Sequence, residues 1–378
     1  MGLPLDGMIV LEFSQYLSGP CAGLRLADLG ARVIKIEHPE KGEAGRKLAI
    51  KNLWVDNSSL LFHTINRNKE SFAADLNKEE DMQWVKQLIA KAHVVTHNFR
   101  PGVMERRGLD YEAVRRINPS IVYAQISGYG EKGPWKNKPG QDLLVQSLSG
   151  LAYTTGSFHD APTPLGLGIG DYLCGNQAVQ FIIAALVKAR KTGRGTWLQL
   201  SLMESLIDFQ FEFFTTYFQS RKVPERARLN NANALLSAPY GIYRTANGYL
   251  AIAMMPVQTL NKALQCAALN AYAEEEAFSK RDEIKSVIAG HLLTQTSEYW
   301  LERTGALDLW VMPVLDWEQM RATGGYQVLD MEQEIVLKNN RRFTTTRCPV
   351  RINNTLLKSD RPAPAIGEHN DSIKRSLA

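Results

Sequence analysis

Residues 9–37, IVLEFSQYLSGPCAGLRLADLGARVIKIE, contain two short apolar runs separated by a helical pattern. The runs Ile9 to Phe13 and Arg32 to Ile36 are rich in β-branched residues, which is typical of strands, whereas apolar residues between 21 and 29 recur at helical spacing. This strand–helix–strand order predicts a parallel sheet with crossover helices. Because both runs are apolar on both faces, we expect helices on both sides of the sheet.

The same alternation continues as far as residue 200. Further strands are expected at residues 71–76, 94–99, 121–127 and 196–200, and helices at 78–92, 111–117, 142–148 and 171–190. We therefore predict an α/β fold with a Rossmann-like large domain built on a parallel sheet.

A smaller α+β domain is expected after a helix at residues 202–219. The charged stretch 221–228 and the asparagine-rich stretch 230–233 predict a linker, and 241–253 predicts a hairpin that turns at Asn247-Gly248. The tail from residue 341 is expected to be a loop-rich return path. The predicted large domain spans residues 1–220 and 327–378, and residues 221–326 form the linker and the small domain.

The composition excludes several classes of protein. The chain has 378 residues, 44% of them hydrophobic, and a formal net charge of +5, which does not fit a disordered tail or a densely basic nucleic-acid binder. No apolar run approaches the roughly 18 residues of a membrane span, and no secretory signal is recognisable. The four cysteines and seven histidines lack metal-binding spacing. We expect a cytoplasmic protein with reduced thiols, no metal, and no nucleic-acid or membrane partner.

Glu37 follows the 14–20 turn by about twenty residues, the distance at which dinucleotide-binding folds place an acid on the ribose. The turn itself offers only Gly19 and Gly23, so the glycine fingerprint for a pyrophosphate is missing. A nicotinamide cofactor is therefore not predicted, and Glu37 is interpreted as a solvated strand end.

The segment 166–171, GLGIGD, places Asp171 where a third glycine of such a fingerprint would stand. A helix that starts at or just after Asp171 would direct unpaired amides towards a ligand, and the carboxylate could attack an activated acyl group. Aspartate is equally suited to cap a helix N-terminus. Likewise, Asn98-Phe99-Arg100 with Arg106 and Arg107 could hold an adenine and a phosphate, or could lie on a solvated helix face.

Several motifs in order resemble the family III CoA-transferases, the CaiB/BaiF family, over nearly the whole chain. They are Leu5-Asp6-Gly7, Ser18-Gly19-Pro20, residues 29–37, 66–71 and 98–102, Ser127-Gly128-Tyr129-Gly130, Gly170-Asp171, residues 191–195, and Gly367-Glu368-His369. The resemblance implies that CoA passes from an acyl-CoA donor to a carboxylic acid acceptor. Asp171 would be the catalytic residue, carrying first a mixed anhydride and then an aspartyl-CoA thioester. It also implies an interlocked homodimer, and CoA or acyl-CoA as substrate without a metal.

The same resemblance implies a set of CoA-binding residues. These are Leu17, Ser18, His38, Ala74, Asp75, Leu76, Asn77, Asn98, Phe99, Arg100, Arg106, Lys138, Gln141 and Asp142. Arg100, Arg106 and Lys138 carry the charge for phosphates, and Phe99 could pack on the adenine.

Two alternative functions fit the same scaffold: an α-methylacyl-CoA racemase-like isomerase and a non-catalytic CoA-binding protein. The racemases carry histidine where this chain has Gln141, which cannot serve as a proton-transfer base. A simple binder has no use for the Asp171 carboxylate near an anionic ligand. The formyl-CoA:oxalate branch has glutamine at Leu17, a tyrosine-glutamate pair at Gln141-Asp142, and a glycine-rich loop with no counterpart near residues 254–258, so neither oxalate nor formyl-CoA is the expected substrate. That branch also has arginine at His38, so a phosphate contact is expected to be weaker there.

Overall fold

The computed structural model describes residues 2–359 and 361–377. Its strands are β1 (Ile9–Glu12), β2 (Arg32–Glu37), β3 (Trp54–Val55), β4 (Ser58–Ser59), β5 (Glu70–Ala73), β6 (Val94–His97), β7 (Val122–Ser127), β8 (Thr196–Ser201), β9 (Gly241–Arg244), β10 (Tyr249–Ile252), β11 (Val311–Pro313), β12 (Glu332–Val336), β13 (Arg342–Thr346), β14 (Arg351–Ile352) and β15 (Thr355–Leu356).

The helices are α1 (Ser18–Asp28), α2 (Leu60–Asn66), α3 (Glu79–Lys91), α4 (Val103–Arg106), α5 (Tyr111–Ile117), α6 (Asp142–Leu148), α7 (Ile169–Thr192), α8 (Leu202–Phe209), α9 (Phe211–Ser220), α10 (Val257–Leu264), α11 (Arg281–Leu292), α12 (Ser297–Gly305), α13 (Trp317–Ala322), α14 (Gly324–Leu329) and α15 (Asn370–Leu377). Short 3-10 turns cover Ala44–Lys47, Ile50–Asn52, Leu151–Tyr153, Ala267–Ala271 and Glu274–Glu276.

Six parallel strands form the central sheet, in the order β5-β2-β1-β6-β7-β8. From β1 the chain adds β2 and β5 on one side of the sheet. It then returns to the other side of β1 and adds β6, β7 and β8. Ligands of open α/β sheets bind outside the carboxyl ends of the strands at such a reversal. A ligand-binding site is therefore expected in the crevice between the carboxyl ends of β1 and β6.

Helices cover both faces of this sheet, as predicted. On one face, Leu11 and Phe13 of the β1 region pack in a core cluster with Val85 and Leu88 of α3. On the other face, Glu12 lies against Gly23 of α1. The predicted parallel sheet with crossover helices is confirmed.

The chain divides into two compact units. The first comprises the residues up to 145, residues 167–208 and the residues from 330 onward, and the second comprises 146–166 and 209–329. The second unit holds the antiparallel sheet β11-β10-β9, whose hairpin turns at Asn247-Gly248 as predicted. Its core includes Tyr243, Leu250 and Ile284.

The predicted boundaries put residues 146–166, 209–220 and 327–329 in the large domain, whereas they group with the second unit. Hydrogen bonds to backbone carbonyls explain part of this difference. The Phe158 amide donates to the Ala227 carbonyl, and the Arg226 guanidinium donates to the Asp160 carbonyl at 2.8 Å. The segment before α7 is therefore tied to residues that the sequence predicted to be a linker.

The tail is more ordered than predicted, because it contains β13, β14, β15 and α15. The Gly367 amide donates to Ser71 Oγ at 2.8 Å, and the His369 amide donates to the Ser71 carbonyl. This hydrogen bonding places the closing Gly-Glu-His motif at β5, in the first unit. Within the described residues, no helix is long and apolar enough to cross a membrane.

Candidate active site

Asp171 lies in the first turn of α7, and it is not the helix cap. The helix begins two residues earlier than predicted, at Ile169. Asp142 provides the cap: its Oδ1 accepts hydrogen bonds from the amides of Gly170 at 2.6 Å and Asp171 at 3.3 Å. The prediction that unpaired α7 amides face a ligand is wrong at these two positions. The Asp171 carboxylate is correspondingly not used for capping.

The half-buried Asp171 carboxyl has an altered acidity. Burial and, to a smaller extent, the nearby charge of Asp142 raise its pKa to about 6, while hydrogen bonds from the side chain and backbone of Ser18 oppose the increase. At neutral pH the group is therefore mostly ionised, but it is more basic than an ordinary aspartate. A more basic carboxylate is a better nucleophile.

Ser18, which is buried, begins α1 and faces Asp171. Asn98, directly after β6, holds the loop that leads to it. Its Nδ2 donates to the Gln15 carbonyl at 2.6 Å and to Ser18 Oγ at 3.3 Å, and its Oδ1 accepts from the Gln15 amide at 2.7 Å. The side chain of Asn98 thus joins the ends of β1 and β6 at the reversal point of the sheet.

Glycines allow the first turns of α1 and α7 to approach closely. A Cβ atom on Gly175 would lie 2.6 Å from the Ser18 carbonyl oxygen, and one on Gly168 would lie 2.9 Å from Leu17 Cδ2. Leu17, Ser18 and Asp171 are therefore brought together by backbone packing. Of the predicted binding residues, Leu17, Ser18, Asn98 and Asp142 lie around Asp171.

An open pocket of about 200 Å³ lies at the carboxyl edge of the sheet. Its lining consists of Phe13, Gln15, Ile36, Glu37, His38, Gly42, Glu43, Ala74, Asp75, Leu76, Asn77, Phe99, Val103, Met104 and Arg107. Six of the predicted CoA-binding residues are in this lining: His38, Ala74, Asp75, Leu76, Asn77 and Phe99. The pocket combines an apolar floor with a polar rim, as small-molecule sites commonly do.

The polar rim is ordered by its own hydrogen bonds. Arg107 donates to Asn77 Oδ1, and Asn77 Nδ2 donates to Asp75 Oδ1 at 2.9 Å. His38 Nδ1 accepts from the Glu40 amide at 3.2 Å, which leaves the ring proton of the neutral form on Nε2. A guanidinium and an imidazole N–H are thus both available at the rim as donors for an anion.

The sequence pattern named both Arg106 and Arg107 as candidates for a phosphate, but the set implied by the family resemblance contained only Arg106. Arg106 is exposed and is not part of the lining of this pocket, whereas Arg107 is. The two arginines are adjacent at the end of the short α4, where successive residues point in different directions, so their order in the sequence does not show which one faces a pocket.

Four of the predicted contacts lie elsewhere on the surface. Arg100 lines a second pocket beside Tyr111 and Trp197, and Lys138 and Gln141 are exposed in the loop between β7 and α6. Together with Arg106, they do not line the pocket that holds Phe99. Their contact with CoA stays a prediction.

Glu37 is not the solvated strand end that the sequence suggested. It is buried, forms a salt bridge of 2.6 Å with Arg46, and accepts a hydrogen bond from Ser71 Oγ at 2.5 Å. Its carboxylate oxygens are therefore engaged by protein groups, and a role on a ribose is not supported.

The sheet order and the pocket at its reversal point define an α/β protein of the Rossmann-like class. The model of CoA-transferase family III matches residues 5–370. The chain therefore belongs to CoA-transferase family III and is an enzyme of the transferase class.

Relatives with named activities are similar along almost the full length. The succinate–glutarate CoA-transferase of Agrobacterium fabrum is 30% identical over 99% of this chain and 96% of its own length. The acetyl-CoA:oxalate CoA-transferase of Acetobacter aceti is 30% identical over the same shares. A CaiB/BaiF family protein from Brucella suis has a solved structure that aligns over 100% of both chains, with a TM-score of 0.86 and 29% identity.

Proposed function

We propose that the protein transfers CoA from an acyl-CoA to a free carboxylic acid, with Asp171 as the covalent nucleophile. The observation that carries this proposal is the state of the Asp171 carboxylate. The carboxylate lies where the N-termini of α1 and α7 meet, and burial makes it more basic than usual. Because Asp142 caps α7, the Asp171 carboxylate does not have to do so. Such a carboxylate can act as the covalent nucleophile in the transfer of CoA to a carboxylic acid.

The reaction is a ping-pong exchange without net proton transfer. The Asp171 carboxylate attacks the thioester carbonyl, the C–S bond breaks, and a mixed anhydride and CoA thiolate form. The thiolate then attacks the aspartyl carbonyl, which releases the donor acid and leaves an aspartyl-CoA thioester. The acceptor carboxylate then attacks the aspartyl carbonyl of this thioester, the C–S bond breaks, and CoA thiolate and a second mixed anhydride form. The thiolate attacks the acceptor carbonyl of that anhydride, which forms the new acyl-CoA and releases Asp171 as the free carboxylate. Covalent storage preserves the thioester energy as long as water is excluded.

Ser18 supports the charge changes on Asp171 during this cycle. Its hydroxyl and amide hydrogen-bond the carboxylate, and the positive end of the α1 dipole points the same way. These donors stabilise the free carboxylate, and they can also stabilise oxygen charge as the anhydride and thioester interconvert.

The pocket around Phe99 is the proposed site of the nucleotide end of CoA. Ile36, Leu76 and Phe99 give an apolar surface for the adenine, and Arg107 and His38 offer donors for phosphate. Arg107 thus joins the predicted set as a phosphate contact. Arg100, Arg106, Lys138 and Gln141 remain predicted contacts.

The substrates are proposed to be short carboxylic acids, with dicarboxylates foremost. This choice rests on the names of relatives, which include succinate, glutarate and oxalate. The sequence departures at Leu17 and Gln141-Asp142 argue against oxalate, yet the relative named for oxalate is 30% identical to this chain. A screen should therefore include oxalate beside succinate, glutarate and monocarboxylates, with acetyl-CoA and succinyl-CoA as donors.

The decisive variant is Asp171→Asn, which keeps the size of the side chain and removes the nucleophile. We expect turnover to decrease by about three orders of magnitude or more, as for other covalent nucleophiles, with CoA binding retained. The matched control is Asp282→Asn, because Asp282 also lies in the first turn of a helix, α11. It should behave like the wild type.

A direct test traps the intermediate. Borohydride or hydroxylamine added during turnover should modify the peptide that contains Asp171, as detected by mass spectrometry. An unmodified peptide in an active enzyme would contradict the aspartyl-CoA mechanism. Exchange of the α-proton of an acyl-CoA with solvent deuterium, without any acceptor acid, would instead favour the isomerase alternative.

A further inference from the structure

A cluster of fully buried charges lies behind the loop that carries Ser18. Glu12, at the end of β1, accepts from Lys35 Nζ at 2.7 Å and from Lys69 Nζ at 2.8 Å. All three side chains have no exposed surface. Glu43 joins the cluster at 3.4 Å from Lys35, so two acids and two bases face one another.

The two lysines also bind the backbone of the neighbouring loop. Lys35 Nζ donates to the Ser14 carbonyl at 2.9 Å, and Lys69 Nζ donates to the Pro20 carbonyl at 2.8 Å. Residues 14–20, which comprise most of the connection between β1 and α1 and the first turn of α1, are therefore held near both ends by ammonium groups; this segment is called the 14–20 loop below. Glu12 in turn fixes the position of both ammonium groups.

The opposite side of the same loop faces the candidate active site. Asn98 binds the amide and carbonyl of Gln15 and reaches Ser18 Oγ. The Ser18 carbonyl packs on Gly175 of α7, where an added Cβ atom would lie 2.6 Å from its oxygen, and Ser18 lies beside the carboxylate of Asp171 on the same helix. A displacement of the loop would therefore move both Ser18 donors relative to the carboxylate.

The packing around the cluster leaves little room for another arrangement. A Cβ atom on Gly23 would lie 1.7 Å from Glu12 Oε2, so α1 rests directly on this carboxylate. Burial lowers the pKa of Lys69 to about 8 and raises that of Glu43, which shows how far these groups are removed from water. Buried ion pairs add little net stability compared with apolar residues of the same volume, so stability alone does not account for the cluster.

We propose that Lys35 and Lys69, paired through Glu12, are positioning residues that fix the 14–20 loop and thereby place Ser18 on the nucleophile Asp171. The catalytic part of this inference rests on the proposed function. The mechanical part, that the cluster orders the loop, does not.

The first test replaces Lys35 by methionine, which has a similar length and no ammonium group. The matched control is Lys285→Met, since Lys285 on α11 is also buried and donates to a backbone carbonyl, that of Asn230, at 3.0 Å. We expect Lys35→Met to reduce kcat about tenfold to a hundredfold, as misplacement of a reacting group does, with KM for the acyl-CoA within about threefold. Lys285→Met should leave both constants within about twofold of the wild type.

Hydrogen–deuterium exchange measures the loop itself. In Lys35→Met, peptides covering residues 14–20 should exchange faster than in the wild type, while β7 peptides should not change. If Lys35→Met does not fold, Glu12→Gln supplies the same measurements, because it keeps the shape and weakens both lysine contacts. Faster unfolding of the whole sheet without a local change at the loop would show a merely structural role.

The outcomes separate the two proposals. Unchanged loop exchange with normal kcat in both variants overturns the positioning role. Faster loop exchange together with a decrease in kcat supports it. If Asp171→Asn retains full turnover, the covalent mechanism fails, whereas the exchange data still decide whether the cluster orders the loop.

Discussion

At the start of α7, two aspartates meet and serve different purposes. Asp142 caps the helix, and Asp171 keeps its carboxylate oriented towards Ser18. The sequence pattern alone left Asp171 open between nucleophile and helix cap, and it did not identify Asp142 as the cap, because the cap comes from a segment 28 residues away. Helix capping by a distant side chain depends on tertiary structure, which local propensity does not contain.

This arrangement predicts an acidic limb in the pH profile. Protonation removes the nucleophile, so kcat/KM should decrease as the pH falls through about 6, the raised pKa of Asp171. Asp142→Asn should move the limb to lower pH, because the negative charge of Asp142 contributes to the raised pKa. Asparagine can still cap α7, so the fold should be preserved.

The measurement is kcat/KM for the wild type and Asp142→Asn between pH 4.5 and 8, in steps of about half a pH unit. Unfolding is monitored at each pH. Asp282→Asn serves as the control and should keep the wild-type limb. A limb that does not move in Asp142→Asn would mean that Asp142 has no electrostatic effect on the reacting group.

At the scale of elements, hydrophobic periodicity identified the central strands and the helices α3, α5 and α6. It did not predict the hairpin of β12 and β13, which is a sheet of only two strands. It also did not predict α15, which depends on residues distant in the sequence: His369 and Asn370 bind Ser71 and Ala73 and hold this helix near β5. The close contact of α1 with α7 was also not foreseen, since a glycine in a helix gives no sign of what it packs against.

Gly175 provides a test of that contact. Gly175→Ala places a Cβ atom 2.6 Å from the Ser18 carbonyl oxygen, which is backbone and cannot rotate away. Overpacking costs about 1–3 kcal/mol, more than the roughly 1 kcal/mol that alanine gains over glycine in a helix. We expect lower stability in thermal or urea unfolding, and reduced turnover because Ser18 shifts.

Gly290→Ala is the matched control, because Gly290 also lies inside a helix, α11, but has no atom within 4 Å of the added Cβ. Its stability should rise by up to about 1 kcal/mol. If Gly175→Ala and Gly290→Ala changed stability and turnover equally, the close packing of α7 on α1 would not be what positions Ser18.

At the scale of the whole molecule, the strand order explains where the chemistry is found. The chain reverses its direction between β1 and β6, and Asn98 joins the two strand ends beside Ser18. The sequence predicted the parallel sheet but not this order, because parallel strands of similar composition give no signal of which neighbours they take. The assembly state lies equally beyond the sequence pattern and comes from the family resemblance alone.

The interlocked homodimer remains a prediction, and the first unit offers a surface for it. Strand β8 is at the edge of the sheet, and an open groove beside it contains Phe181 and Leu198. Phe181 is 55% exposed, and Val187 on the same helix is 52% exposed. An uncovered edge strand next to exposed apolar side chains is a place where another chain can pair.

We therefore expect light scattering after size-exclusion chromatography to give twice the mass of one chain at every concentration that can be measured. Because interlocked chains separate only on unfolding, dilution should yield no folded monomer. Phe181→Glu should lower the unfolding temperature or prevent assembly, whereas Leu293→Glu, at an equally exposed leucine after α11, should do neither. A stable, active monomer of the wild-type chain would contradict the dimer, and a dimer that dissociates into folded monomers on dilution would contradict interlocking.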